Sequence, residues 1–223
     1  YSIVNFSGLQ HLGVFHQVYA IYMILSHFSV FGIHYSILQD ISHNQNDTEY
    51  IKRSFISGLF LALITSLIIS IVAYYFSNLV GDFFNAKNVG KGIKLIVPGL
   101  IFLSLNKIFL NVINALNHMR AHAIFVCLRY LLILVIGLII ITYNSGTNLA
   151  LTLTISEFLL LIMLCTYHKA YVLNNIMNTL SKKFIVKHYN FGKKSFLGGA
   201  LVELNIKIDT LSIGYFLNDF AVG

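Results

Sequence analysis

The sequence predicts an all-α, polytopic integral membrane protein, and three observations predict it. The chain is 57% hydrophobic and only 10% charged, against about 25% charged in soluble domains, and its mean hydropathy is +0.77. Six apolar stretches approach the ~20 residues that a helix needs to cross a hydrocarbon core. They cover roughly residues 14–37, 54–78, 95–116, 123–143, 148–168 and 195–217, and every break between them is polar.

In chain order, residues 1–13 read as a turn leading into the first span. His16, Tyr19 and Tyr22 lie near that span's entrance, where aromatic rings suit a membrane interface. Residues 39–53 read as a hydrophilic loop. The second span carries no charge and is expected to be the most lipid-exposed of the six. After Gly81–Lys94, Pro98 stands near the start of the third span, where a helix tolerates proline in its first turn. That third span is unusual. Lys107 lies near its midpoint, and Lys107, Asn111, Asn114 and His118 follow i, i+4, i+7, i+11, so they form one polar stripe.

The fourth span carries Arg129 two turns in, from where its side chain can snorkel towards the headgroups. Residues 143–148 read as a short turn. The fifth span carries Glu157 near its middle. Residues 169–194 form a long basic connector. The sixth span alternates polar residues in its centre: Glu203, Asn205, Lys207 and Asp209. At 100° per residue, Glu203, Lys207, Thr210 and Gly214 share one helix face, and Asn205, Asp209 and Ser212 lie nearly opposite.

Ionisable side chains within a span are costly, and they usually face protein or a wet cavity. Lys107, Arg129 and Lys207 balance Glu157, Glu203 and Asp209 in sign. Mutual pairing is one reading, with Glu203–Lys207 as an i,i+4 pair and Glu157 or Glu203 as a partner for Lys107. A substrate or ion path is the other.

Several function classes are excluded. Cys127 and Cys165 fall inside apolar runs, which argues against a disulfide framework. The nine histidines show no metal-ligand spacing, and no phosphate loop or nucleophile constellation is present. No cofactor and no enzymatic activity are expected. The formal charge of +7 does not indicate nucleic acid, because the charges lie in loops between spans rather than on one basic face.

Orientation follows from the basic residues. Loops 39–53, 117–122 and 169–194 hold Lys52, Arg53, Arg120, Lys169, Lys182, Lys183, Lys187, Lys193 and Lys194. The opposite side holds Lys87, Lys91 and Lys94. The richer side is expected to be cytoplasmic. A weak internal repeat, Phe6–Gly13 against Phe216–Gly223, spans an even number of helices. It suggests two lobes related about the membrane normal.

The last stretch also carries a resemblance. A helix that begins with Gly192-Lys193-Lys194, carries E-x-N-x-K-x-D over Glu203–Asp209 and closes on F-x-x-D-x-x-V-G over Phe216–Gly223 resembles the polysaccharide and O-antigen flippases. These belong to the multidrug/oligosaccharidyl-lipid/polysaccharide (MOP) superfamily. The resemblance implies a fragment of a twelve-helix, two-lobe bundle. Residues 1–168 would be helices two to six of the first lobe, 169–194 the inter-lobe connector, and 195–223 the first helix of the second lobe. It implies alternating-access translocation of undecaprenyl-pyrophosphate-linked oligosaccharide across a bacterial inner membrane. Membrane lipids, and polysaccharide polymerase machinery, would be its other partners. Lys107, Asn111, Asn114, Arg129 and Lys207 would line the substrate path. Glu157, Glu203, Asn205 and Asp209 would balance charge or couple an ion. A multidrug exporter of the same superfamily and a membrane-embedded oligosaccharide polymerase or ligase are the alternatives. A central lysine disfavours the exporter, and short outer loops without arginine disfavour the enzyme.

Overall fold

The computed structural model describes residues 2–144, 148–169, 179–217 and 219–222. Within them the chain is helical: α1 (Ser2–Val30), α2 (Ile33–Ser42), α3 (Thr48–Phe83), α4 (Lys87–Ala115), α5 (Met119–Asn144), α6 (Leu151–Tyr167), α7 (Lys182–Phe216) and a last turn, α8 (Asp219–Val222). The parts of the predicted 143–148 turn and of the 169–194 connector at 145–147 and 170–178 lie outside the described residues, as does Gly223.

All six predicted spans coincide with helix. By length and composition α3, α4 and α5 each suffice to cross a membrane, and α1 from His11 passes together with α2 as one span bent by 56°. The remaining apolar helix, α6, has 17 residues. α7 carries five lysines in its first thirteen residues and Glu203, Lys207 and Asp209 in its second half.

The helices pack around α4, which touches α1, α2, α3, α5 and α6. Its seam with α3 rests on small residues. Ser54, Gly58, Ala62, Ser66, Ser70, Ala73, Ser77 and Gly81 recur every three or four positions along α3, and all are buried; Ser70, Ser77 and Gly81 meet α4, whereas Ser54 and Gly58 face α2 and α7 at His188. In lipid there is no hydrophobic drive between helices, so a ridge of small side chains that lets backbones approach is the packing face. This corrects the expected exposure. The apolar window of α3 is 44% buried, whereas that of α5 is 22% buried, so α5 is the more exposed to lipid. Absence of charge did not mark α3 as lipid-facing, because its serines and glycines are the buried contacts.

Both hairpins that flank α4 close in the same way. Asn85 and Asn117 take left-handed φ values of 51° and 59°. After α3, the Ala86 amide donates to the Gly81 carbonyl at 2.9 Å and the Asn85 amide to that of Asp82 at 3.0 Å. After α4, the His118 amide donates to Ile113 at 3.1 Å and the Asn117 amide to Asn114 at 2.9 Å. Asparagine tolerates this conformation, and the paired bonds satisfy the last carbonyls of each helix. His118 therefore leaves the stripe expected on α4: the helix ends before it.

Other boundaries differ from the sequence reading. The stretch 1–13 is helical on both sides of a break at Gly8, where φ is 75° and ψ 155°. The 39–53 loop shrinks to 43–47, because α2 continues to Ser42 and Asp47 caps α3 by accepting the Tyr50 amide at 2.9 Å. Pro98 sits well inside α4 rather than in its first turn. A proline there disturbs the carbonyls one turn earlier, and the Thr154 hydroxyl of α6 donates to the Leu95 carbonyl at 2.6 Å.

The first span is broken where Phe31 and Gly32 take φ values of 50° and 67°. α7 holds this break in place. The Phe31 ring stacks on Phe196 at 4.9 Å and on Tyr189 at 5.7 Å. Gly192 lies against the Phe31 carbonyl so closely that a Cβ there would collide with it. α7 runs unbroken from 182 to 216, joining the basic segment to the charged span.

Two apolar cores result. One gathers Ile33, Ile37, Phe55, Ile108, Ile113 and Leu160 towards the 43–47 turn. The other gathers Val18, Tyr22, Ile93, Ile96, Leu100 and Leu153 towards the opposite end.

Candidate functional site

Between the two cores lies a polar layer. The Ser29 and Ser104 hydroxyls meet at 2.7 Å, and Thr65 donates to the Ser29 carbonyl at 2.8 Å. The charged side chains predicted from sequence sort into two constellations around this layer.

The first joins α4, α5 and α6. Arg129 Nε lies 2.9 Å from Glu157 Oε1, and its Nη2 donates to Oε2 at 3.2 Å. Asn106 Nδ2 donates to the same Oε2 at 2.8 Å and to the Glu157 carbonyl at 2.9 Å. Glu157 is 2% exposed and Asn106 fully buried. Arg129 thus turns inward to a carboxylate instead of snorkelling to headgroups. Asn106 was not identified from sequence, since it lies outside the Lys107 stripe and nothing in its spacing distinguished it.

The second constellation lies where α7 leans on α1, beside α4. Lys107 Nζ donates to Ser26 Oγ at 2.8 Å. Among the described residues, no carboxylate lies within ion-pair distance of Lys107. Its partner is therefore a hydroxyl, not Glu157 or Glu203. Glu203 Oε2 faces His27 Nε2 of α1 at 3.6 Å, and Lys207 Nζ stands 5.1 Å from the centre of the Tyr19 ring. The expected Glu203–Lys207 pair is absent because both side chains reach across to α1. His34, 5% exposed, lies 6.4 Å from the His27 ring, and its Nδ1 has no hydrogen-bond partner among the described residues.

The two faces of α7 separate as the 100° spacing requires. Glu203, Lys207 and Thr210 are half-buried and Gly214 is buried, whereas Asn205 and Asp209 are exposed; Ser212, expected on the face of Asn205 and Asp209, is half-buried. Gly214 packs on the side chain of buried Gln17, and Gly199 on His27. Asn111 turns back on its own helix, donating to the Lys107 carbonyl at 2.8 Å. Asn114 is half-buried below it. Tyr19 reads from sequence only as an interfacial ring, and His27, His34 and Ser26 escape the sequence reading, because scattered histidines and hydroxyls within an apolar span carry no spacing signal.

A third polar cluster lies at the end of the 43–47 turn, where the sequence suggested only a loop. Asp40, 4% exposed, accepts from Tyr50 at 2.7 Å and from Ser54 at 2.7 Å, and pairs with Lys187 of α7. Lys187 also donates to the Tyr50 hydroxyl at 2.9 Å. Fully buried His188 lies between Ser36, 2.9 Å from its Nδ1, and Ser54, whose hydroxyl and carbonyl are each 3.2 Å from Nε2. With the Ser54 proton committed to Asp40, Nε2 carries the hydrogen and Nδ1 accepts. Burial raises the Asp40 pKa, but the bonds from Lys187, Tyr50 and Ser54 outweigh it and hold the carboxyl below its ordinary value. Burial lowers the pKa of His188, and Lys187 adds to that, against the opposing pull of Asp40 and the Ser54 carbonyl.

No curated protein and no solved structure matches the chain. The family model for polysaccharide biosynthesis proteins matches residues 3–223, nearly the whole sequence. A chain of membrane-spanning helices so matched belongs to the polysaccharide biosynthesis protein family.

Proposed function

We propose that this chain forms part of a flippase that moves undecaprenyl-pyrophosphate-linked oligosaccharide across a bacterial inner membrane by alternating access of two lobes. In this reading α1–α6 belong to the first lobe and α7 opens the second. The exposed Asn205 and Asp209 face of α7 then turns towards the remainder of the second lobe. Loops 39–53, 117–122 and 169–194 are cytoplasmic.

The observation that supports this best is Lys107. It is a cation at membrane depth whose ammonium group is held by a serine hydroxyl and, among the described residues, has no carboxylate within ion-pair distance. A pyrophosphate needs just such an uncommitted cation, and a sugar needs hydroxyl and amide partners, which Ser26, Asn111 and Asn114 supply. Lys207 is the second cation of the path. Arg129 is committed to Glu157, so in this reading it braces the first lobe. Glu203 with His27 supplies the balancing charge.

Replacing Lys107 tests the proposal. Lys107→Arg keeps the charge and should retain most surface polysaccharide. Lys107→Ala should abolish it while the protein accumulates normally in the membrane. Normal surface polysaccharide with Lys107→Ala at normal protein levels refutes the cargo role, and loss of the protein itself assigns Lys107 to structure instead.

A further inference from the structure

We propose that a lysine-lined cavity at the end of the α3–α4 hairpin, opposite the Asp40–Lys187 cluster, binds the phosphate headgroup of an anionic lipid. The cavity has a volume of about 390 Å³ and is lined by Asn78, Gly81 and Asp82 of α3 and by Lys87, Gly90, Lys91 and Lys94 of α4.

Its floor is a close helix contact. A Cβ at Gly81 would lie 3.1 Å from the Gly90 nitrogen, and one at Gly90 would lie 2.8 Å from the Ser77 carbonyl oxygen. The backbones touch there, which leaves a recess beneath the longer side chains. Lys87, Lys91 and Lys94 follow i, i+4, i+7 and rise along one side of it. Among the described residues, none of the three has a carboxylate within ion-pair distance. Asp82 is the one acid in the lining, so the recess holds three cations against one carboxylate.

Two further observations select the ligand. The first is scarcity. These are the three basic residues that the sequence places in the connections on this side, and all three line the same cavity. Cations that merely aid solubility would be scattered. The second is depth. Lys94 Nζ lies 5.8 Å from the ring centre of Tyr74, which is 52% exposed. Tyr75, Phe83, Tyr143 and Phe216, also at this end, are likewise exposed. Exposed aromatic rings gather at the headgroup level of a bilayer, so the ammonium groups stand at the depth of lipid phosphates. About two to three turns deeper along α3 than Asn78, Ile68, Ile71 and Val72 are exposed, an apolar wall for acyl chains. A phosphate with a hydrocarbon tail fits both surfaces, and a soluble anion uses only one.

The site does not depend on the cargo proposed above. Two lipids share its chemistry: a bulk anionic phospholipid, and the diphosphate of a polyprenyl carrier. The full protein, purified in detergent, would be offered phosphatidylglycerol or phosphatidylcholine of the same acyl composition, and retained lipid read by native mass spectrometry. Phosphatidylglycerol should be retained at least about fivefold over phosphatidylcholine. Lys87→Gln, Lys91→Gln and Lys94→Gln together should remove that preference, the three arginine replacements should keep it, and Lys193→Gln with Lys194→Gln should leave it unchanged. Size-exclusion profiles confirm that each variant is folded. Equal retention of the two lipids by the unaltered protein, or an undiminished preference in the glutamine triple variant, overturns the proposal. Undecaprenyl pyrophosphate then identifies the source. Displacement of phosphatidylglycerol at a tenth of its concentration or less marks the carrier diphosphate, and displacement at equal concentration marks bulk lipid; either outcome upholds the headgroup site.

Discussion

The Glu157 constellation and the Glu203 constellation both place ionisable groups at membrane depth, yet they are built differently. Glu157 is 2% exposed and held by Arg129 and Asn106, with its contacts at 2.8–3.2 Å. Among the described residues, Glu203 has one ion-pair contact, to His27 at 3.6 Å, and Lys207 has no carboxylate within ion-pair distance and stands over the Tyr19 ring. The first ties three helices of one bundle together. The second lies on the contact between α7 and α1. A carboxylate saturated by short bonds cannot leave without stranding its partners, whereas one held at long range separates at little cost. In the proposed flippase, the difference suits a brace within one lobe and a contact that opens during transport.

Breaking the brace should have the largest effect. Glu157→Leu leaves the guanidinium of Arg129 buried without its counter-charge, and removal of one partner from such a pair costs about 3–5 kcal/mol. Little folded protein should then survive detergent extraction, as measured by size-exclusion chromatography after graded heating. Arg129→Met combined with Glu157→Leu should recover most of the loss, because two apolar side chains need no partners. A double variant no better than the worse single one would show that the two residues do not act as a pair.

The Asp40–Lys187–His188 cluster is closely bonded like the brace, but Asp40 lies past the apolar run that ends at residue 37 and His188 ahead of the one that begins at 195, so it can be probed with pH. His188 has a folded-state pKa below its ordinary value. Below about pH 6.5 the unfolded chain takes up a proton that the folded chain refuses. Stability should therefore be level above that pH and fall as pH drops towards the folded value, by at most about 1.4 kcal/mol per pH unit for one group. Asp40, also depressed, contributes above the ordinary carboxylate range and loses its contribution only at still lower pH. Thermal midpoints at pH 7.5 and 5.5 report on histidines, because Glu and Asp residues remain largely ionised across that interval, and the His188→Gln comparison separates His188 from the other eight. His188→Gln should show a smaller drop than the unaltered protein, and an equal drop would exclude His188 as its source.

Much of this architecture was legible in the sequence, and the limits have physical causes. Span positions follow from runs of apolar residues, and the two faces of α7 follow from the 100° repeat of Glu203, Lys207, Asn205 and Asp209. Lys107 stood out because a lysine at mid-span is costly wherever it points. Partners were not legible. Asn106 reaches Glu157 across 51 positions and Lys107 reaches Ser26 across 81, distances over which no local period operates. The break at Phe31 escaped for a related reason. Gly32 alone reads as a packing residue, and what sustains the left-handed Phe31 is α7, through Phe196, Tyr189 and the bare backbone of Gly192. Asp40 and His188 were assigned to loops because polar residues near a span's end usually lie in water. Here each is enclosed by the other's helix.

The smallest effect on stability should come from Glu203→Gln, and that smallness sharpens the comparison. The contact with His27 is long and partly accessible, with side-chain exposures of 12% for Glu203 and 14% for His27. Glutamine matches the size of glutamate, and its oxygen can still accept from the imidazole. Among the described residues, no lysine or arginine lies within ion-pair distance of the charge that disappears. A shift within about 1 kcal/mol is expected, visible as a nearly unchanged heating profile beside the collapse expected of Glu157→Leu. Surface polysaccharide should nonetheless fall, because the proposed α7–α1 contact then lacks the carboxylate that balances Lys107 and Lys207. If Glu203→Gln instead depleted folded protein as Glu157→Leu does, both carboxylates would be braces and the contrast between the two constellations would disappear. Unchanged stability with unchanged polysaccharide would leave Glu203 outside both the brace and the transport path.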